Sequence, residues 1–160
     1  MIALMKRNMK NEKGLTLIEL LAVVVILGII AAIAIPSIGG LIDNSKKDAH
    51  VANAQQLVSS AKTWVAGNAG ESMPKTLSLK DFYDQNLVDN PMKDPDGGTY
   101  TPGTAGSTTG SYVTITKTGN KYTYEVKLTN GTRGIWVKDT TNDLKRANVT
   151  EPVKEVTATP

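Results

Sequence analysis

Residues 15–36 read LTLIELLAVVVILGIIAAIAIP, and how this stretch is housed decides the rest of the chain. From Leu15 to Ile35 there are 21 residues and one formal charge, that of Glu19. As a helix the stretch measures about 31 Å at ~1.5 Å per residue, which matches the hydrocarbon thickness of a bilayer. Its apolar residues surround the helix axis rather than forming a stripe, as expected of a membrane span or a fully buried helix. A carboxylate inside such a span is costly and marks a function by default. Gly28 and Ala32 lie one turn apart, and Ala31 and Ala34 widen the slim face. Small residues let helix backbones approach closely where lipid offers no hydrophobic drive, although they are also common in membrane helices without that role.

Outward on the N-terminal side, Lys6, Arg7, Lys10 and Lys13 stand against Glu12 alone. Basic residues at that end hold it in the cytoplasm and send the C-terminal part outside. The chain has 18 basic and 15 acidic residues, and four of the former and one of the latter lie in residues 1–14, leaving 14 of each beyond. A near-neutral exported part offers no global electrostatic case for nucleic acid. Cysteine is absent, which excludes disulfides and thiolate metal sites. His50 is the single histidine; on a helix rich in Lys and Asp it reads as a solvated surface residue rather than a base. No G-x-S-x-G, P-loop or G-x-G-x-x-G pattern appears, so nothing in the sequence favours an enzyme.

On the C-terminal side, Pro36 cannot donate to the carbonyl four residues back, and Gly39-Gly40 each cost ~1 kcal/mol of helix propensity. A kink or a melted stretch near residues 32–40 is expected. Helix resumes over 41–67, where Val51, Ala54, Val58, Ala61 and Val65 recur at helical spacing with Leu57 and Trp64 beside them. Ser78 and Asp81 form the ends of a capping box for a short helix, with Leu77 set to pack on Phe82. Otherwise residues 68–111 read as loop, and the Gly, Thr, Ser and Pro of 97–111 promise no core.

Residues 112–138 read as an antiparallel sheet. Gly119-Asn120 and Asn130-Gly131 suit two-residue hairpin turns. The first sets Ile115 opposite Tyr124 and Val113 opposite Val126; the second sets Val126 opposite Ile135 and Tyr124 opposite Val137. One face then collects Val113, Ile115, Tyr122, Tyr124, Val126, Leu128, Ile135 and Val137. Trp136 alone breaks the polar pattern of the other face, and the tail, 139–160, is a candidate to cover it or to add an edge strand. Three strands with one apolar face need a helix over them, and the Val51–Val65 stripe supplies it. The expected class is α+β: a long N-terminal helix, kinked near Pro36, on a three-stranded or larger antiparallel sheet.

The run Lys13-Gly14-Leu15-Thr16-Leu17-Ile18-Glu19-Leu20-Leu21, the apolar stretch after it and Pro36 resemble the type IV pilin and pseudopilin family. The resemblance implies a leader, 1–14, removed by prepilin peptidase between Gly14 and Leu15, with methylation of the new Leu15 amine. Leu15 stands where the family usually has phenylalanine. It further implies a transmembrane and filament-core helix over 15–36 and an extracytoplasmic domain over 37–160. Assembly would rest on Glu19, paired with the N-terminal amine of an adjacent subunit, and on Gly28, Ala32 and Pro36. The implied partners are further copies of the chain in a homopolymeric filament, prepilin peptidase, a cytoplasmic assembly ATPase, an inner-membrane platform protein and the membrane itself; DNA as cargo stays open. No cofactor is implied.

The loop and the mature length favour a major pilin for adhesion, motility or attachment. The alternative is a pseudopilin of type II secretion or of competence DNA uptake. Asp94-Pro95-Asp96-Gly97-Gly98 faintly resembles the calcium-holding loop of the major secretion pseudopilin, which makes Asp94 and Asp96 weak calcium candidates, although such a pair is more often a turn. Two other readings differ in class: an ordinary secreted protein cut after Ala32-Ile33-Ala34, and an uncleaved membrane-anchored binding domain. Asn130 and Asn148 head glycosylation sequons, the first already committed to a turn.

Overall fold

The computed structural model describes residues 16–140 and 144–155. The chain divides into two units, one ending at Ile42 and one beginning at Asp43. A single helix, α1 (Leu17–Gly67), contributes to both. Helical structure is unbroken through residues 32–40, so Pro36 sits inside α1 and the melted stretch does not occur. Pro36 forfeits one backbone bond, but the turns on either side keep theirs.

In the second unit α1 packs on a five-stranded antiparallel sheet in the order β1 (Lys75–Ser78), β2 (Tyr112–Thr118), β3 (Lys121–Thr129), β4 (Gly134–Val137) and β5 (Val149–Thr150). The expected stripe is the buried one: Ala54, Leu57, Val58, Ala61, Trp64 and Val65 join one core with Val113, Ile115, Tyr124, Val126, Leu128, Ile135 and Val137, while Val51 and Tyr122 pack at its margin. The short helix α2 (Leu79–Asp84) begins in a capping box: Ser78 Oγ accepts from the Asp81 N–H, and the Asp81 carboxylate accepts from the Ser78 N–H at 2.8 Å.

The first hairpin has the expected register, Val113↔Val126 and Ile115↔Tyr124, around Gly119 at φ +62°. The second differs by two residues: Val126 faces Val137 and Leu128 faces Ile135. Its connection is a four-residue loop rather than a two-residue turn, because Asn130 Oδ1 accepts from the Thr132 and Arg133 N–H groups and the Asn130 N–H donates to the Arg133 carbonyl. A slip of two preserves the face of every side chain, so the apolar face is as expected although its pairing is not. Gly134 closes the loop where a Cβ would meet the Leu128 carbonyl oxygen at 2.0 Å.

One segment read as a connection becomes a strand, and the tail takes the edge-strand role that was one of its candidates. Residues 75–78 form the edge strand β1, paired Leu77↔Val113, and the tail adds β5 beside β4 after a 3-10 turn at Arg146–Asn148. The segment expected to offer no core supplies Tyr100, which is 1% exposed. Thr101 donates to the Thr129 carbonyl and Ser111 to the Thr101 carbonyl, fixing this segment to the end of the sheet. Trp136, half-buried on the outer face, donates to Glu125 Oε1 at 2.9 Å beneath the Lys127 ammonium.

Candidate functional site

In the first unit, the sequence places a polar start on an apolar helix. Thr16-Leu17-Ile18-Glu19 is a capping box in both directions: Glu19 Oε2 accepts from the Thr16 N–H and the Thr16 hydroxyl, each at 2.7 Å, and Thr16 Oγ1 accepts from the Glu19 N–H at 3.3 Å. The T-x-x-E spacing is a sequence signal for this box, which the reading of Glu19 as a lone carboxylate passed over. Both bonds to the carboxylate use Oε2, so Oε1 is left for a further donor. Gly14 and Leu15 lie outside the described residues.

On both sides of Glu19 the large apolar side chains of the helix face outward, from Leu17 at 87% exposure to Ile42 at 52%. The helix is long and apolar enough to cross a membrane, and none of its most apolar window is buried by the described residues. Around Gly28 an added Cβ would meet nothing within 4 Å, so this small position is open to whatever packs on the helix. Ala32 and Pro36 are exposed as well. The arrangement is that of a helix prepared for lipid or for neighbouring helices, consistent with a membrane anchor before assembly.

The second unit gathers a polar cluster around Asp94 and Asp96, the weak calcium candidates of the sequence, and adds a histidine that sequence reading placed elsewhere. His50, read as a solvated surface residue, is 0% exposed. Its position one residue before Val51 puts it on the buried edge of α1, and the turn at Lys93–Thr99 closes over it. Within that turn the Asp96 N–H donates to Asp94 Oδ1 at 2.8 Å and the Gly97 N–H to the Asp94 carbonyl at 3.0 Å. His50 Nε2 then lies 2.9 Å from Asp96 Oδ2 and 3.6 Å from Asp94 Oδ1. On the other side of the ring the Tyr100 hydroxyl lies 2.8 Å from Nδ1, and Asn53 donates to that hydroxyl at 3.1 Å. One tautomer makes the chain consistent: Asn53 donates to Tyr100, Tyr100 to Nδ1, and Nε2–H to Asp96.

Asp96 Oδ1 meets Arg133 at 3.2 Å and Lys46 at 3.4 Å, and Arg133 also pairs with Asp43. Burial alone would raise the Asp96 carboxyl, but the His50 hydrogen bond, the Arg133 charge and the Lys46 contact hold it below its ordinary value. Burial lifts the Tyr100 phenol well above its ordinary value, so it acts as a neutral donor. The sequence signals for the cluster are the i, i+3 step from His50 to Asn53 beside the stripe and the Asp94–Asp96 pair; nothing local joins the two across 46 residues.

Residues 9–35 match the family model of the prokaryotic N-terminal methylation motif, the type IV prepilin-type signal. No curated protein and no solved structure matches the chain. The motif supports a type IV pilin or pseudopilin that is a substrate of prepilin peptidase.

Proposed function

We propose, with that prepilin-type signal as the premise, that this protein is the major structural subunit of a type IV pilus. It is cut between Gly14 and Leu15, methylated at Leu15 and polymerised into a surface filament. The observation that carries the reading is the direct run of the methylation motif into a helix whose large apolar side chains are exposed among the described residues. Such a surface is satisfied by lipid before assembly and by neighbouring helices after it.

The chemistry turns on Glu19. Two unit charges ~4 Å apart attract by about 4 kcal/mol at an effective dielectric of 20. That is comparable with the ~3 kcal/mol insertion penalty of an acidic residue at a helix centre, so pairing with a cationic amine offsets the penalty. The cut at Leu15 creates such an amine on each subunit. With Oε2 committed to Thr16, Oε1 can accept a neighbour's amine without opening the helix cap. A subunit therefore slides along the filament base until the charges meet. Moving from lipid to a filament core brings little hydrophobic gain, so extraction draws on external work from an assembly ATPase acting through the platform protein.

Mass spectrometry of the purified product, with electron microscopy of the cell surface, tests the reading. A mature chain beginning at methylated Leu15 in long filaments is the expected result. An intact leader on polymerised subunits overturns it. A correctly processed chain without surface filaments, together with a secretion or transformation defect on its loss, assigns it to the pseudopilins instead.

A further inference from the structure

We propose that His50, Asp94 and Asp96 form a binding site for a divalent transition metal ion of the zinc class, clipping the Lys93–Thr99 turn to α1. One ligand atom from each residue lies within 4.8 Å of the other two. Zinc takes nitrogen and carboxylate ligands at about 2.0–2.2 Å, so adjacent tetrahedral ligands stand roughly 3.4 Å apart. The separations from His50 Nε2, 2.9 Å to Asp96 Oδ2 and 3.6 Å to Asp94 Oδ1, bracket that value.

A hydrogen bond alone leaves this arrangement incomplete. Nε2 carries at most one proton, which the closer carboxylate takes, yet a second carboxylate is held against the same nitrogen. Asp94 Oδ2 is buried and has no hydrogen-bond partner, although the Asp94 side chain is 0% exposed. Leaving a buried acceptor unsatisfied costs about 1–3 kcal/mol, and more when it is charged. A cation shared by the three residues removes that cost when Asp94 holds it through both carboxylate oxygens, or through Oδ2 while Oδ1 keeps the Asp96 N–H.

The surroundings favour an imidazole-accepting ion over calcium. Calcium takes six to eight oxygen ligands, whereas this set includes a ring nitrogen, and Arg133 and Lys46 occupy Asp96 Oδ1. Asp96 Oδ2 and His50 Nε2 face each other as single donors, the pattern suited to zinc and its neighbours. On binding, the ring proton moves from Nε2 to Nδ1, and Tyr100 Oη, 2.8 Å away, becomes the acceptor that fixes the ring. Proton count on the imidazole is unchanged.

The test uses the full chain in detergent, stripped with chelator and dialysed at neutral pH against zinc, cobalt(II) or calcium chloride in turn. The expected result is one zinc or cobalt ion per chain, a rise in unfolding temperature with zinc, and visible cobalt absorption with a paramagnetically shifted imidazole N–H resonance. Tyr100→Phe should weaken zinc binding about tenfold, as loss of an outer partner does. Folded His50→Gln should lose stoichiometric binding. Zinc binding that survives in folded His50→Gln overturns the proposal, as does saturation by calcium without zinc or cobalt. If His50→Gln does not fold, the wild-type cobalt spectrum decides, and absence of the shifted imidazole resonance overturns it. None of these readouts depends on filament formation.

Discussion

At the residue scale, two acidic side chains three positions after a hydroxyl residue do the same local work in different surroundings. Glu19 caps α1 and Asp81 caps α2, each accepting from the N–H and hydroxyl of its partner. Glu19→Gln keeps a side chain able to accept from Thr16 but removes the charge. It should therefore leave the second unit's unfolding midpoint unchanged while filament yield falls, and a normal filament yield in microscopy would refute the charge pairing. Asp81 has a second task, accepting from the Gly106 N–H at 2.8 Å. Burial would raise its carboxyl, but the Gly106 and Ser78 hydrogen bonds hold it below its ordinary value. A depressed folded value stabilises above the unfolded value of about 3.9 and ceases to do so as pH falls through the folded value. Asp81→Asn keeps an acceptor but loses the charge that strengthens these bonds, and should cost about 1 kcal/mol at pH 7. Denaturant melts should show the gap between wild type and variant closing below about pH 4.

At the element scale, the β3–β4 hairpin shows how a side chain overrides a turn preference. Asn130-Gly131 favours a two-residue turn, but Asn130 Oδ1 collects two backbone N–H groups and stretches the connection to four residues. The loop is then closed at Gly134, where a Cβ would stand 2.0 Å from the Leu128 carbonyl oxygen and 2.8 Å from the Thr129 Cα. Both obstacles are backbone and cannot rotate away. Gly134→Ala should destabilise the domain by about 1–3 kcal/mol through overpacking, read as a lower unfolding temperature with faster amide exchange in β4 than in β1. Equal exchange in the two strands would place the strain elsewhere.

At the scale of the whole molecule, the chain separates an apolar helical segment that is exposed from a second unit that owns a complete core. That core draws on residues from Ala54 onward, and the tail is tied back to α1 by the Arg146–Asp48 pair at 2.7 Å and 2.5 Å. A chain beginning at Asp43 should remain folded and monomeric in water, whereas the full chain should require detergent or lipid. Circular dichroism and size-exclusion chromatography check both statements, and an unfolded truncated chain would mean that the upstream helix contributes to the core.

The outward-facing apolar helix, the buried stripe of α1 and the two faces of the sheet were legible in the sequence, because each depends on a period of 3.6 or 2 that burial converts directly into contact. The Ser78–Asp81 capping box was legible because its partners sit three residues apart; the Thr16–Glu19 box has the same spacing and was passed over. The register of the second hairpin, the edge strand β1, and the burial of Tyr100 and His50 were decided only by the tertiary structure, which also chose the edge-strand reading of the tail as β5. Each depends on a partner distant along the chain: the Lys93–Thr99 turn closing on α1, Val113 receiving Leu77, Ile135 receiving Val149. Local periodicity says which face of an element is apolar, but it carries no information about which distant polar group will arrive to make a buried histidine tolerable.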